Sequence, residues 1–348
     1  MVGETIDEFT FLKKLGEGGM ASVYRAEDRS FNDQVAIKVL KKEYAHHPNI
    51  RKRFIDEARK LHRISHPNVI KVRRIIDAGD LVAFVMDEVK GSTLHDYFKN
   101  SYILTDELIE KLWIQMVETL KYIHEQGIIH RDIKPSNFMI DGKDNIRLLD
   151  FGIAKDTTGS SDYTATGVSQ QMGTPTYMSP EQIRSTKDVG IQSDIYSLGV
   201  VLWFMITKKD PYAAQKLSLF DLYEKIVNEP LPVTNSIWDN IIANATKKNI
   251  SERTKNCEVL LTVTNEMDVD NTYNDQSNSD KENDKIKDFD NYKESIGFKP
   301  WILTRLVFGI WLITKFGKND EWGPPATVVG IISILYALYS WFMPKSEE

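Results

Sequence analysis

The feature that most restricts how this chain can fold is the wide separation of its charged signature residues. His130-Arg131-Asp132-Ile133-Lys134-Pro135-Ser136-Asn137 is followed thirteen residues later by Asp150-Phe151-Gly152. The glycine-containing run LGEGGMASVY begins far upstream at Leu15, and Lys38 closes the apolar run Val35-Ala36-Ile37-Lys38. No single peptide contains a site, so folding must assemble one.

The segments between these blocks differ in character. Residues 9–90 read as mostly β, with strand-like runs at 9–15, 22–27, 34–40, 69–77 and 81–87 and one amphipathic helix over about 50–64. Residues 91–262 read as mostly helical: 108–126 carries apolar residues at helical spacing, and 194–206 is apolar enough for a buried helix. Residues 263–297, rich in Asp, Asn, Ser and Lys, read as an acidic disordered linker. Two apolar segments, 298–316 and 326–343, flank the turn-like GKNDEWGPP. The formal net charge of −6 argues against a nucleic-acid partner. Residues 266–294 hold ten acidic and four basic side chains, which leaves the rest near neutral. The single cysteine, Cys257, excludes an intrachain disulfide and a thiolate metal cage and fits a reducing compartment. The opening MVGETIDEFTFL is acidic and carries no signal-peptide pattern.

Gly16-x-Gly18-x-x-Ala21 lies between two strand-like runs, where glycine lets a backbone approach phosphates closely. A plain glycine hairpin fits the same residues. A dinucleotide-binding loop does not, because a strand rather than a helix follows. Fourteen residues after Ala21, the strand-like run begins that places Lys38 among apolar neighbours. That lysine is either an exposed strand residue or a paired cation. Glu57 is the candidate partner, on a helix whose buried face is marked by Phe54, Ala58 and Leu61.

Taken in order, these blocks resemble the catalytic and magnesium loops of eukaryotic-like (Hanks-type) protein Ser/Thr kinases. LGEGGMASVYRAED and GTPTYMSPEQ look most like bacterial members. The resemblance covers about residues 9–262 and implies an α+β, two-lobed protein kinase fold. A small β-rich N-lobe with one helix would occupy 9–90, and a larger helical C-lobe 91–262. It implies ATP and Mg2+ as cofactors, with Mn2+ as a substitute, and Ser/Thr hydroxyls of proteins as acceptors. Asp132 would accept or orient the acceptor proton, and Lys134 would reach the γ-phosphate. Asn137 and Asp150 would hold the metal. Lys38, held by Glu57, would steady the α- and β-phosphates. Leu15, Gly16, Glu17, Gly18 and Gly19 would cover the nucleotide. Val23, Ala36 and Met139 would sandwich adenine, Met86 would be the gatekeeper, and Asp87 and Val89 would belong to the hinge. Leu61, Val72, His130 and Phe151 would form the stacked column of the active state.

The resemblance also implies a structural set. Glu181 would pair with Arg253, Asp194 would hold the catalytic-loop backbone, and Thr174 would belong to the substrate-docking segment. Lys134 and Thr174 point to Ser/Thr rather than Tyr specificity. Arg131 would receive a phosphate on the activation loop, for which Thr164, Thr166 and Ser169 are candidates; a solvated flexible loop fits each of these hydroxyls as well. A homodimer would allow trans-autophosphorylation. Two departures, Ala21 for the third glycine and Ser179 for the usual alanine, remove no catalytic group. The alternative of a membrane-tethered ATP-binding pseudokinase scaffold conflicts with the presence of Lys38, Asp132, Asn137 and Asp150. A small-molecule phosphotransferase conflicts with the docking-type segment GTPTYMSPE.

The tail sets an expectation of its own. Residues 326–343 carry no charge, and as a helix they would span about 27 Å. Tyr336, Tyr339 and Trp341 sit where a membrane interface favours aromatics. Residues 298–316, interrupted by Arg305 and Lys315, form a second span or an interfacial helix. Core helices remain the alternative for both. The expected location is the membrane bilayer, with the catalytic domain facing the cytosol and a two-span hairpin preferred over a single span.

Overall fold

Side-chain alternation along one strand explains how the small lobe is built. The computed structural model describes residues 1–100, 105–151, 175–184 and 189–266. In β4 (Asp33–Leu40), Val35, Ile37 and Val39 pack with Phe9, Phe11 and Val85 on one face of the sheet. Ala36 and Leu40 join the cluster that holds Phe54, Leu61 and Phe84 on the other. A strand's period of two therefore turns Lys38 towards the helix side, where the cleft lies.

Six antiparallel strands form this lobe, in the spatial order β1-β2-β3-β4-β6-β5. They are β1 (Thr5–Ile6), β2 (Phe9–Glu17), β3 (Ala21–Asp28), β4, β5 (Val72–Ala78) and β6 (Leu81–Asp87). The glycine run is the turn of the β2–β3 hairpin, closed by the Gly18 amide donating to the Ala21 carbonyl at 2.8 Å. Helix α2 (Pro48–Arg63), preceded by the single turn α1 (Lys42–Ala45), buries Phe54, Glu57, Ala58 and Leu61 against the sheet.

One strand begins later than its sequence suggests. Residues 69–71 are not part of β5, because Val69 bridges Leu148 of the other lobe and the Ile70 amide donates to the Leu148 carbonyl at 2.9 Å. The β-propensity of this stretch is spent joining the two lobes.

The larger lobe is built around two buried helices. Thr105 caps α4 (Asp106–Glu125), its hydroxyl accepting the Leu108 amide, and Leu112, Trp113, Met116, Val117 and Leu120 are fully buried on it. Helix α6 (Ile191–Thr207) is buried along most of its length. It lies close against α8 (Asp239–Ala245): a Cβ at Gly199 would stand 2.8 Å from the Ala245 Cβ. Glycine is what permits that approach. Smaller elements among the described residues of this lobe are β7 (Gly91–Thr93), α3 (Leu94–Asn100), β8 (Phe138–Asp141), β9 (Ile146–Leu148), α5 (Pro180–Arg184) and α7 (Leu219–Asn228). β7, β8 and β9 form a small antiparallel sheet under the cleft.

The last described helix, α9 (257–266), runs four residues past the position where composition marks the start of the linker. Thr264 is buried there and accepts a hydrogen bond from the Trp113 indole at 2.9 Å, so tertiary burial outweighs local polarity. Among the described residues no helix is long and apolar enough to cross a membrane. The segments 298–316 and 326–343, the remainder of the linker, Gly152, Thr174 and the hydroxyls of Thr164, Thr166 and Ser169 lie outside the described residues.

Candidate active site

A cleft of about 640 Å³ opens between the lobes, lined by Gly18, Gly19 and Val23 from above and by Asp132, Lys134 and Asp150 from below. Lys38 and Glu57 also line it. The Lys38 ammonium lies 2.9 Å from Glu57 Oε1 and 2.9 Å from Asp150 Oδ1, and stands over the Phe84 ring. Burial works against the lysine charge, but the two carboxylates outweigh it and hold its pKa above the ordinary lysine range. Glu57 bears the cost. Burial lifts its carboxyl, Lys38 pulls it back and Asp150 lifts it again, leaving it pushed up to about 7.

The lower edge is a loop held by its backbone. Asp194, in the first turn of α6, is 1% exposed. Its two oxygens accept the amides of His130 and Arg131, each at 2.8 Å. A buried carboxylate needs such partners, and here they hold Arg131 at φ +68°, a conformation that a non-glycine residue adopts only under constraint. The loop's side chains then converge. Asn137 Nδ2 donates to the Asp132 carbonyl at 2.7 Å and to its Oδ2 at 3.0 Å, and Lys134 Nζ lies 2.8 Å from the same oxygen. Phe151 packs on the His130 ring with centroids 4.7 Å apart. Burial keeps His130 below the usual histidine pKa, and its Nδ1 accepts the Asp132 amide at 3.2 Å.

The donor set suits a small, hard divalent cation. Both hydrogen bonds of the Asn137 amide are made by Nδ2, which leaves Oδ1 as its acceptor, and the Asp150 carboxylate is partly exposed to the cleft. Among the described residues no three His, Cys, Asp or Glu side chains form a self-sufficient cage. A cation held by Asn137 and Asp150 would complete its shell from phosphate and water, as Mg2+ commonly does.

Other expected residues fall in two groups. Glu181 and Arg253 meet in a bidentate pair at 2.6 and 3.0 Å, with the arginine side chain fully buried and Ser193 donating to the same carboxylate. Leu61, Val72, His130 and Phe151 are all buried. The adenine-side residues Ala36, Met86, Asp87, Val89 and Met139 do not line the cleft described above. Ala36 pairs across the sheet with Met86, however, and β6 ends at Asp87, where a hinge would start. Leu15 is exposed, Gly16 pairs with Val23, and Glu17 turns to Lys14 and Lys41.

Several contributors were not foreseen. His124 donates to Asp194 at 2.8 Å and touches Cys257 through its other ring nitrogen. It shares a helix face with Trp113, Val117 and Leu120, so a polar residue on an apolar stripe was the available signal. Gln182 donates to the Arg131 carbonyl at 2.9 Å. Arg25 clamps Glu88, beside Asp87, in a bidentate pair 63 residues away in sequence, and nothing local announces it.

The protein kinase domain family matches residues 9–273. The chain is 34% identical over 251 residues to a probable serine/threonine-protein kinase of Clostridium perfringens, covering 70% of this chain and 36% of that protein. It is 34% identical over 267 residues to the serine/threonine-protein kinase PrkC of Bacillus subtilis, covering 74% and 40%. The chain thus spans about two fifths of the length of the curated relatives it matches. Among solved structures, the kinase domain of Mycobacterium tuberculosis PknI superposes with a TM-score of 0.61 at 21% identity, covering 77% of this chain and 98% of that one. At that identity the likeness speaks for the fold alone.

Proposed function

The chain belongs to the protein kinase family, and from that premise we propose that it transfers the γ-phosphate of ATP to Ser or Thr hydroxyls of proteins. One observation carries the reading: the cleft gathers Lys38, Glu57 and Asp150 together with Asp132 and Lys134, each side chain held by a partner of opposite charge, and Asn137 is bonded to Asp132 beside them. Phosphoryl transfer asks little covalent chemistry of a protein; it needs positioning and charge stabilisation.

The residues divide that work. Lys38, kept cationic and oriented by Glu57, holds the nucleotide phosphates. Asn137 and Asp150 supply oxygen ligands to the metal. When bound, Mg2+ would neutralise charge on the phosphate oxygens. Asp132, with Oδ2 fixed by Asn137 and Lys134, orients the acceptor hydroxyl and takes its proton as the oxygen bonds to the γ-phosphorus and the bond to the β-phosphate oxygen breaks. Lys134 stands beside the developing charge. The names of the relatives, with Lys134 in the loop, support Ser/Thr over Tyr.

Asp132→Asn should lower the rate of transfer by about 10²–10⁴-fold, and Lys38→Met by about 10²–10³-fold. Phosphate incorporation into a generic protein substrate, followed with labelled ATP, measures both. Equal rates in wild type and both variants would refute the site.

Regulation and location belong to the same proposal. Autophosphorylation between Asp156 and Thr174 would give Arg131 a phosphate partner. Residues 326–343, uncharged and aromatic at one end, would anchor the chain in a bilayer with the catalytic domain on the cytosolic side. Full-length protein should then resist extraction from membranes by carbonate; recovery in the soluble fraction without detergent would sink the anchor.

A further inference from the structure

Among the described residues four carboxylates line the cleft: Glu57, Asp132, Asp150 and Asp210. Three have a lysine. Lys38 bridges Glu57 and Asp150, and Lys134 pairs with Asp132. Asp210 differs: its Oδ2 accepts the Gln215 amide at 2.8 Å, and among the described residues no cation pairs with it. Lys208 and Lys209 precede it, but neither lines the cleft. The carboxylate is partly exposed and held in one orientation, so a cation carried by a ligand in the cleft can reach it.

Its surroundings indicate which ligand. Asp210 acts electrostatically on Tyr177, in the middle of the docking-type segment, and on His95, both of which line the same cleft as Asp132. The His95 ring lies parallel to Phe204, 4° from coplanar with centroids 5.4 Å apart, and so presents a flat surface near the carboxylate. Burial first, then Lys99, holds His95 below the ordinary histidine pKa, so near neutral pH it adds little positive charge to repel a cation. A planar guanidinium can meet a carboxylate and lie on a ring at once, which an ammonium cannot do as well.

We infer that Asp210 selects protein substrates that carry an arginine close to the phosphorylated residue. This rests on the kinase reading and names the substrate class of the same site. The carboxylate takes no part in phosphoryl transfer; it would bind the peptide beside the acceptor.

The test uses the full-length chain and a panel of threonine-centred peptides that differ in a single flanking position, occupied by Arg, Gln or Glu. At the favoured position, kcat/KM for the Arg peptide should exceed that for Gln by about fivefold, the scale of a partly exposed charge-assisted pair, and mostly through KM. Asp210→Asn keeps an acceptor for the Gln215 amide, so it removes the charge without removing that hydrogen bond; the Arg-to-Gln ratio should fall to near one. Asp210→Lys should turn the preference towards Glu. Wild type that phosphorylates the panel without favouring Arg, or an Asp210→Asn chain that keeps the preference, overturns the role of Asp210. Wild type that phosphorylates no peptide overturns the kinase reading together with this inference.

Discussion

In the small lobe, Lys38 and Glu57 sit on a strand and a helix and meet through their side-chain ends, 2.9 Å apart. In the large lobe, Asp132 and Asn137 share one loop, and that loop is bonded through its backbone to Asp194, which also accepts from His124 on α4. A side-chain pair between two separate elements can open when the helix shifts by little more than a bond length. A backbone anchored to a fully buried carboxylate cannot move without stranding amides. The lower half of the cleft is therefore built as scaffold and the upper half as an adjustable part. Substitutions below should show in stability, and substitutions above in nucleotide binding and pH dependence.

Asp194→Ala gives the largest expected effect. It leaves two backbone amides and His124 buried without their acceptor, at a cost of about 3–5 kcal/mol. Urea unfolding followed by tryptophan fluorescence would measure it, and a loss under 1 kcal/mol would break the comparison. Gly199→Ala comes next. The added methyl group meets Ala245 and Thr246 at under 3 Å, in the packed joint between α6 and α8. Overpacking there should cost about 1–3 kcal/mol with little change in the affinity for nucleotide.

Glu57→Gln is the smallest in stability and the most informative. Burial raises the Glu57 pKa from 4.5 to about 7, so the folded chain keeps a proton that the unfolded chain releases above 4.5. Stability contributed by this group is present at low pH and is lost as pH rises through about 7. The variant removes that slope: relative to wild type it should gain stability between pH 5 and 7, while its affinity for nucleotide falls because Lys38 keeps only one of its two carboxylates, that of Asp150. A Glu57→Gln chain destabilised as severely as Asp194→Ala would show that both halves of the cleft are scaffold.

The readable parts of this fold share a cause. In β4, alternation of Val35, Ala36, Ile37 and Lys38 is enough to say that Ala36 and Lys38 face the same way, because a strand permits no other arrangement. In α2, Phe54, Glu57, Ala58 and Leu61 lie on one face by the helical period alone. The pairing of Lys38 with Glu57 follows once both faces are known. Residues 69–71 and 263–266 depart from their local pattern for the opposite reason: a contact with Leu148 in one case, and Trp113 over Thr264 in the other, decides their state.

What the sequence determined by itself was the chemistry and the local periodicity: which residues carry charge, which face of each element they occupy, and the order of the motif blocks that resemble a kinase. Tertiary structure alone decided how those groups are held. The bonds from Asp194 to the loop amides span more than sixty residues, and Arg25 reaches Glu88 across the sheet. Among the described residues Asp210 meets one donor in the cleft, the Gln215 amide. Such contacts have no period and no local propensity, because their energy arises only when distant segments are brought together and water is excluded from between them.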